Sequence, residues 1–263
     1  MRGTKIMAFG ISTSCLYPMN TEESLEMLGK MGVKTCEVFL NSISETTPEF
    51  AKTLNEIKDR YGINIVSVHP FSSFSETYML FGEYERRYLD AFDFYKRCFE
   101  FTNLVGAEFS VIHGSLKPSK ISENEYFERF ARLAQAGKEF GVTVGQENVN
   151  RHLSENPDFL DRMKSALGKD FKLIFDVKQA FRAGYSPVDF AEKFKNDIVH
   201  IHISDHSAQQ DCIPPGKGIF DFGKLASVMN SADYKGDYVI ELYRSGFETP
   251  DDLAESLHFV ENL

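Results

Sequence analysis

A chain of 263 residues, 42% hydrophobic and 26% charged, is long enough to bury one large core and has the make-up of an ordinary globular protein. Its net charge of −10 and pI near 5.2 disfavour non-specific binding to a polyanion. No stretch approaches the roughly 18 apolar residues that span a membrane, and the unpaired spacing of Cys15, Cys36, Cys98 and Cys212 excludes a disulfide frame or zinc ribbon and suits a reduced, cytoplasmic chain.

The segment Met1-Arg2-Gly3-Thr4-Lys5 leads into a short strand-like run, so no signal peptide is expected. From there the apolar spacing alternates between strand-like and helix-like. Strand patterns lie near 5–12, 35–40, 64–69, 108–113, 142–148, 172–177, 198–204 and 237–243. Helical patterns lie near 21–31, 47–61, 83–104, 123–140, 156–167, 187–195, 221–230 and 249–262. Asn20 and Ser122 stand where first-turn N–H groups need acceptors, and Gly32, Gly62, Gly106 and Gly141 close helices. The longer segment from Pro70 to Arg86, with Phe71, Phe74, Tyr78 and Phe81, reads either as a surface loop with its own small cluster or as a wall of a site.

Strict alternation of strands and helices admits an open doubly wound sheet or a closed barrel. An open sheet usually carries a Gly-rich turn after its first strand, whereas the turn here reads Ile11-Ser12-Thr13-Ser14-Cys15. A barrel delivers functional side chains at the C-terminal ends of many strands. Seven of the eight strand segments do so, with Glu37, His69, His113, Glu147, Asp176, His202 and Glu241. The expectation is a (β/α)8 TIM barrel forming a single domain over 1–263.

Glu147, Asp176, His202 and Glu241 come from four consecutive strands, and neighbouring strands lie about 4.8 Å apart. The four can therefore converge. Three carboxylates so close repel and raise each other's pKa, and one divalent cation relieves that repulsion. Three oxygens and one nitrogen suit Mn2+, Zn2+, Co2+ or Mg2+ without choosing among them. A single such residue reads most simply as a solvated strand end; four on adjacent strands point to a metal.

The motifs Ser67-Val68-His69-Pro70, Val111-Ile112-His113-Gly114, Glu147-Asn148, Phe175-Asp176, His200-Ile201-His202-Ile203-Ser204-Asp205, Pro214-Pro215-Gly216-Lys217-Gly218 and Ile240-Glu241 stand in this order along the chain. Together they resemble the xylose isomerase-like superfamily of barrels, which includes sugar isomerases and epimerases, inosose dehydratase and endonuclease IV. The resemblance covers essentially the whole chain. It implies that Glu147, Asp176, His202 and Glu241 hold one metal, and that Glu147 and Glu241 are the acid/base pair that moves a proton beside a carbonyl through an enediolate on that metal.

Two positions depart from the family pattern. Gln179 stands where a histidine is usual, and Gln210 and Cys212 stand where endonuclease IV has an aspartate and a histidine for its third zinc. A full trinuclear cluster is therefore not expected, and with the net charge this argues against a nucleic-acid substrate. His69 and His113 either contact substrate, hold a second metal with Glu147, or are buried histidines bonded to backbone carbonyls. Glu37 binds hydroxyls, orients His69 or is structural. Lys178, on one strand face with Asp176, and Arg244 and Lys217 in mouth loops, anchor a phosphate or carboxylate or face solvent. Asp205 fixes a neighbouring imidazole.

The expected function is a metal-dependent isomerase or epimerase of a small sugar or polyol-derived substrate, with Gln179 hydrogen-bonding a hydroxyl. A dehydratase of inosose or dehydroshikimate type is the main rival, followed by an endonuclease IV-like phosphodiesterase. No membrane partner is expected, and the family resemblance makes a homo-oligomer an open expectation.

Overall fold

The structure is a computed structural model that describes residues 8–262. The segment weighed for a signal peptide and the start of the first strand pattern lie outside the described residues. Eight parallel strands close into a barrel in sequence order: β1 Phe9–Ser12, β2 Thr35–Phe39, β3 Asn64–His69, β4 Phe109–Ile112, β5 Thr143–Glu147, β6 Leu173–Asp176, β7 Ile198–Ile203 and β8 Tyr238–Ile240. Closure is made by β8 pairing with β1 through Phe9 opposite Tyr238 and Ile11 opposite Ile240. The helices that cover it are α1 Thr21–Lys30, α2 Pro48–Tyr61, α3 Glu76–Met79, α4 Glu85–Leu104, α5 Glu123–Glu139, α6 Pro157–Leu167, α7 Val177–Arg182, α8 Pro187–Phe194, α9 Phe222–Ser231 and α10 Pro250–Glu261. Among the described residues no helix is long and apolar enough to cross a membrane.

Local chemistry explains where these helices begin and end. Thr47 accepts a hydrogen bond from the Phe50 N–H and is followed by Pro48, and Ser122 accepts from the Glu125 N–H. Asn20, expected to cap α1, makes no side-chain cap bond. Gly62 ends α2 in the left-handed conformation, φ 64°. On α5, Tyr126, Phe130, Leu133, Ala134 and Gly137 recur at helical spacing and are all buried, packing the helix on β5.

Two elements differ from the sequence reading. No helix was expected at 177–182, yet α7 begins directly after Asp176. The cause is Asp176 itself, whose Oδ1 accepts from the Gln179 N–H at 2.9 Å and caps the new helix. Lys178 is thus helical, and the strand-face argument for it does not hold. The eighth strand also stops at Ile240, so Glu241 follows β8. Its N–H still donates to the Ile203 carbonyl at 3.1 Å, which keeps it at the barrel's end.

The segment after β3 is neither a simple loop nor one wall. Phe81 is fully buried in the core, while Phe71 and Phe74 reach the cavity described below. Glu76 of α3, buried, accepts from the Gly114 N–H and from the Tyr95 hydroxyl, tying this segment to the end of β4. Gly114 has φ +85°, and a Cβ there would lie 2.0 Å from the Tyr126 hydroxyl oxygen. Gly114→Ala is accordingly expected to cost about 3 kcal/mol from left-handed strain and overpacking, read as a lower denaturant midpoint. An unchanged midpoint would contradict this placement.

Candidate active site

The strand ends bring four of the expected side chains together. Asp176 pairs in register with His202 across β6 and β7, and Glu147 ends the neighbouring β5. One ligand atom from each of Glu147, Asp176, His202 and Glu241 lies within 4.8 Å of every other. His202 Nδ1 is 3.0 Å from Glu147 Oε1 and 3.7 Å from Glu241 Oε2. Asn148 clamps two of the strand ends: its Nδ2 donates to the Asp176 carbonyl at 3.0 Å, and the Asp176 N–H donates to its Oδ1 at 2.8 Å.

The charges in this cluster perturb one another strongly. Burial pushes the Asp176 carboxyl up, to about 7; Lys178 opposes that shift, and the neighbouring Glu147 and Glu241 add to it. Burial also opposes ionisation of Glu147, but His113, His202 and His69 outweigh it and hold that carboxyl well below its usual range. Lys178 and His202 likewise outweigh burial at Glu241 and lower it. For His202 burial disfavours the imidazolium, yet Glu37, Glu241 and Glu147 raise it well above an ordinary histidine.

These residues fit a divalent ion. Glu147 Oε2 and Asp176 Oδ2 are buried and make no aligned hydrogen bond, but each faces a charge partner, His113 Nε2 at 2.7 Å and Lys178 Nζ at 3.2 Å. Three largely buried carboxylates gathered this closely favour a cation that shares their charge. A second group, His69, His113 and Glu147, meets the same proximity condition. His69 Nε2 and His113 Nε2 are 2.9 Å apart, and Glu147 Oε2 is 2.7 Å from His113 Nε2 and 3.9 Å from His69 Nε2. His69 also has its Nδ1 3.2 Å from the Pro70 carbonyl.

Above these groups opens a cavity of about 480 Å3, lined by His69, His113, Glu147, Lys178, Gln179 and Glu241 and walled by Tyr17, Phe39, Phe71, Phe74, Tyr243 and Arg244 among others. The mix of aromatic walls and a polar, charged floor is that of a small-molecule site.

The family described as xylose isomerase-like TIM barrel matches residues 25–263. The chain belongs to that family. Among its relatives, MJ1311 of Methanocaldococcus jannaschii is 25% identical over 97% of this chain and 90% of its own length. An inosose dehydratase of Glaesserella parasuis is 25% identical over 48% of this chain and 50% of that one. The crystal structure of a D-tagatose 3-epimerase-like protein superposes with a TM-score of 0.80 at 22% identity, covering 97% of this chain and 96% of the other.

Within this xylose isomerase-like barrel the remaining expected residues take varied places. Glu37 is fully buried below the cavity and does not line it. Its Oε2 accepts from the Ser67 hydroxyl at 2.8 Å and lies 2.9 Å from His202 Nε2 and 3.6 Å from His200 Nε2. Glu37 therefore orients His202, and the expectations that it binds hydroxyls or orients His69 are corrected by this placement. With Nε2 directed at Glu37, His202 turns Nδ1 to Glu147 and Glu241, an arrangement in which a carboxylate would fix an imidazole for a metal. Glu37→Gln is expected to weaken Mn2+ binding about 10–100-fold, as measured by titration calorimetry. Wild-type affinity in that variant would remove Glu37 from the metal's support.

Lys178 neither faces solvent nor stands free to anchor an anion: its buried ammonium is 2.9 Å from Glu241 Oε2 and 3.2 Å from Asp176 Oδ2. Gln179 lines the cavity, with its Oε1 accepting from the Asn150 N–H at 3.1 Å and its amide nitrogen left for a ligand. Arg244 lines the rim, but its guanidinium donates to the Phe247 and Glu248 carbonyls at 2.8 and 3.1 Å. Lys217 pairs on the surface with Glu255. Asp205 does not fix an imidazole; it accepts the N–H groups of His206, Gly216, Gly218 and Phe220 at 2.8 to 3.1 Å and so fastens the loop after β7. Sequence reasoning missed Ser67 and Asn148, which lie inside motifs it quoted. It also missed the Arg182–Asp211 pair beside Tyr243, for which the chain offers no periodic signal.

Proposed function

We propose that this protein is a divalent-metal-dependent isomerase or epimerase of a small sugar or polyol-derived ketone, acting by proton transfer at the carbon next to the carbonyl. The observation that carries this reading is that two carboxylates, Glu147 at the end of β5 and Glu241 just after β8, border the same cavity and both approach His202 Nδ1. A divalent ion held by Glu147, Asp176, His202 and Glu241 would supply the positive charge that draws electrons toward a carbonyl oxygen and acidifies the neighbouring C–H.

The chain's own groups do the rest. One of the two glutamates takes the proton and the other, or the same one, returns it, giving inversion at one carbon or transfer to the next. His113, partly open to the cavity, and Gln179, which lines it, would bond substrate oxygens. Phe39 and Phe71 line the same cavity and would keep water from the reacting carbon. Structural neighbours, a D-tagatose 3-epimerase-like protein and a D-psicose 3-epimerase, support the choice of a sugar.

A dehydratase is the second reading, favoured by the stretch similar to inosose dehydratase. It begins with the same proton abstraction and then expels a hydroxyl. A phosphodiesterase acting on DNA is disfavoured by the charge of −10 and by Gln210 and Cys212 in place of ligands. The His69, His113 and Glu147 group supports a second ion as part of the same site.

The test is exchange in D2O. Mn2+-loaded protein incubated with a panel of ketoses, followed by NMR, is expected to place deuterium on the carbon beside the carbonyl of one of them. Exchange with loss of water from an inosose or a dehydroshikimate-type acid would select the dehydratase. Nicking of abasic DNA by protein carrying three metals per chain, with no exchange in any ketose, inosose or keto acid, would overturn the proposal.

A further inference from the structure

Lys178 lines the cavity, and the proposed reaction does not explain its contacts. Its side chain is 3% exposed, and its ammonium lies 2.9 Å from Glu241 Oε2 and 3.2 Å from Asp176 Oδ2. Oδ2 is the freer of the two Asp176 oxygens, because Oδ1 already caps α7 through the Gln179 N–H. Glu241 Oε2 is also the oxygen that faces His202 Nδ1. The oxygens an ion would use on this side of the cluster are therefore the oxygens the ammonium already holds.

We propose that Lys178 is a built-in competitor of the divalent ion: its ammonium holds Asp176 and Glu241 together in the metal-free protein, sets the metal affinity, and is displaced into the cavity when an ion binds. This rests on the reading that Glu147, Asp176, His202 and Glu241 form a metal site.

The geometry leaves little room for both charges. An ion bound about 2.2 Å from Glu241 Oε2 stands no more than about 5 Å from an ammonium 2.9 Å from the same oxygen. Two positive charges that close, away from bulk water, repel strongly. The ammonium has a contact it can keep as it moves. Lys178 lines the cavity, and its Nζ already lies 4.9 Å from the centre of the Tyr243 ring, a face that accepts cations. There the ammonium meets whatever occupies the cavity, so metal binding would also deliver a positive charge to the substrate.

The competition has a signature that a structural lysine lacks. Removing a structural lysine loosens the site and weakens the metal; removing a competitor strengthens it. The experiment is titration calorimetry of MnCl2 into the full chain stripped of metal, for wild type, Lys178→Met and Lys178→Gln, with the metal-free melting temperature of each. The neutral variants are expected to bind Mn2+ about tenfold tighter or more, the order for loss of a nearby like charge, and to melt lower without metal because Asp176 and Glu241 then lose the ammonium between them. Using two variants guards against one that fails to fold. Equal or weaker binding by the folded variants overturns the proposal while leaving the metal site intact. Failure of wild type and both variants to bind Mn2+, Co2+, Zn2+ or Mg2+ overturns the metal site itself, and this inference with it.

Discussion

Glu147→Gln is expected to lower kcat/KM by about 10²–10⁴-fold, the usual worth of a positioned acid or base, with little change in overall fold. Gln has the shape of Glu but neither abstracts a proton nor offers an anionic ligand. Glu147 bridges two imidazoles of the site: its Oε1 is 3.0 Å from His202 Nδ1, and its Oε2 is 2.7 Å from His113 Nε2. Glu241→Gln is expected to fall in the same range. Because both act on one substrate and one ion, the double variant should lose far less than the product of the two effects. Steady-state kinetics on the ketose found by deuterium exchange checks this. Near wild-type turnover in either single variant would remove that glutamate from the proton-transfer pair, and in both would end the mechanism.

The metal's effect on stability should depend steeply on pH, and the shifts give the sign. Asp176 is raised from 3.8 to about 7, chiefly by burial, so the metal-free folded state keeps a proton that the unfolded chain releases above its own value. That favours folding at low pH and is lost as pH rises toward 7. His202 and His69 are raised despite burial, by Glu37, Glu241 and Glu147 for the first and chiefly by Glu147 for the second. Their contribution is complete below 6.5 and fades as pH climbs through their folded values. The metal-free protein should therefore lose stability from about pH 5 upward. Ligands must shed these protons to bind an ion, so affinity grows over the same range. Saturating Mn2+ is expected to raise the melting temperature by about 5 °C or more at pH 8 and by less than half as much at pH 6. An equal increment at both would contradict this account of Asp176 and His202. Glu37 and Glu147, held low by their histidines, act in the opposite sense, and only as pH falls below 4.5.

The barrel was legible because its signal is periodic and repeated. Each of the eight strands, and the eight helices expected between them, lay within a few residues of its place, and the gathering of Asp176 and His202 could be foreseen because a charge at the end of a buried strand is conspicuous. What stayed hidden depends on contacts far apart in the chain. That Glu37 serves His202 follows from pairing across the barrel interior, 165 residues away in sequence. The helix after β6 hinged on one aspartate turning an oxygen to the backbone, which no hydrophobic spacing records. Lys178 was correctly linked to Asp176 but for the wrong reason, because a strand continued on paper where the chain had begun to coil. Asp205 showed the converse: an acid among histidines was read as their partner, and four backbone N–H groups of a Gly-rich loop claimed it instead.

The most direct measurement is anomalous diffraction from a crystal of this protein soaked in Mn2+, recorded at the manganese edge. The account predicts one strong peak within about 2.4 Å of oxygens from Glu147, Asp176 and Glu241 and of His202 Nδ1, with the Lys178 ammonium moved away from Asp176. A map with no peak among those four side chains, or with the peak elsewhere and Lys178 still seated between Asp176 and Glu241, would contradict it.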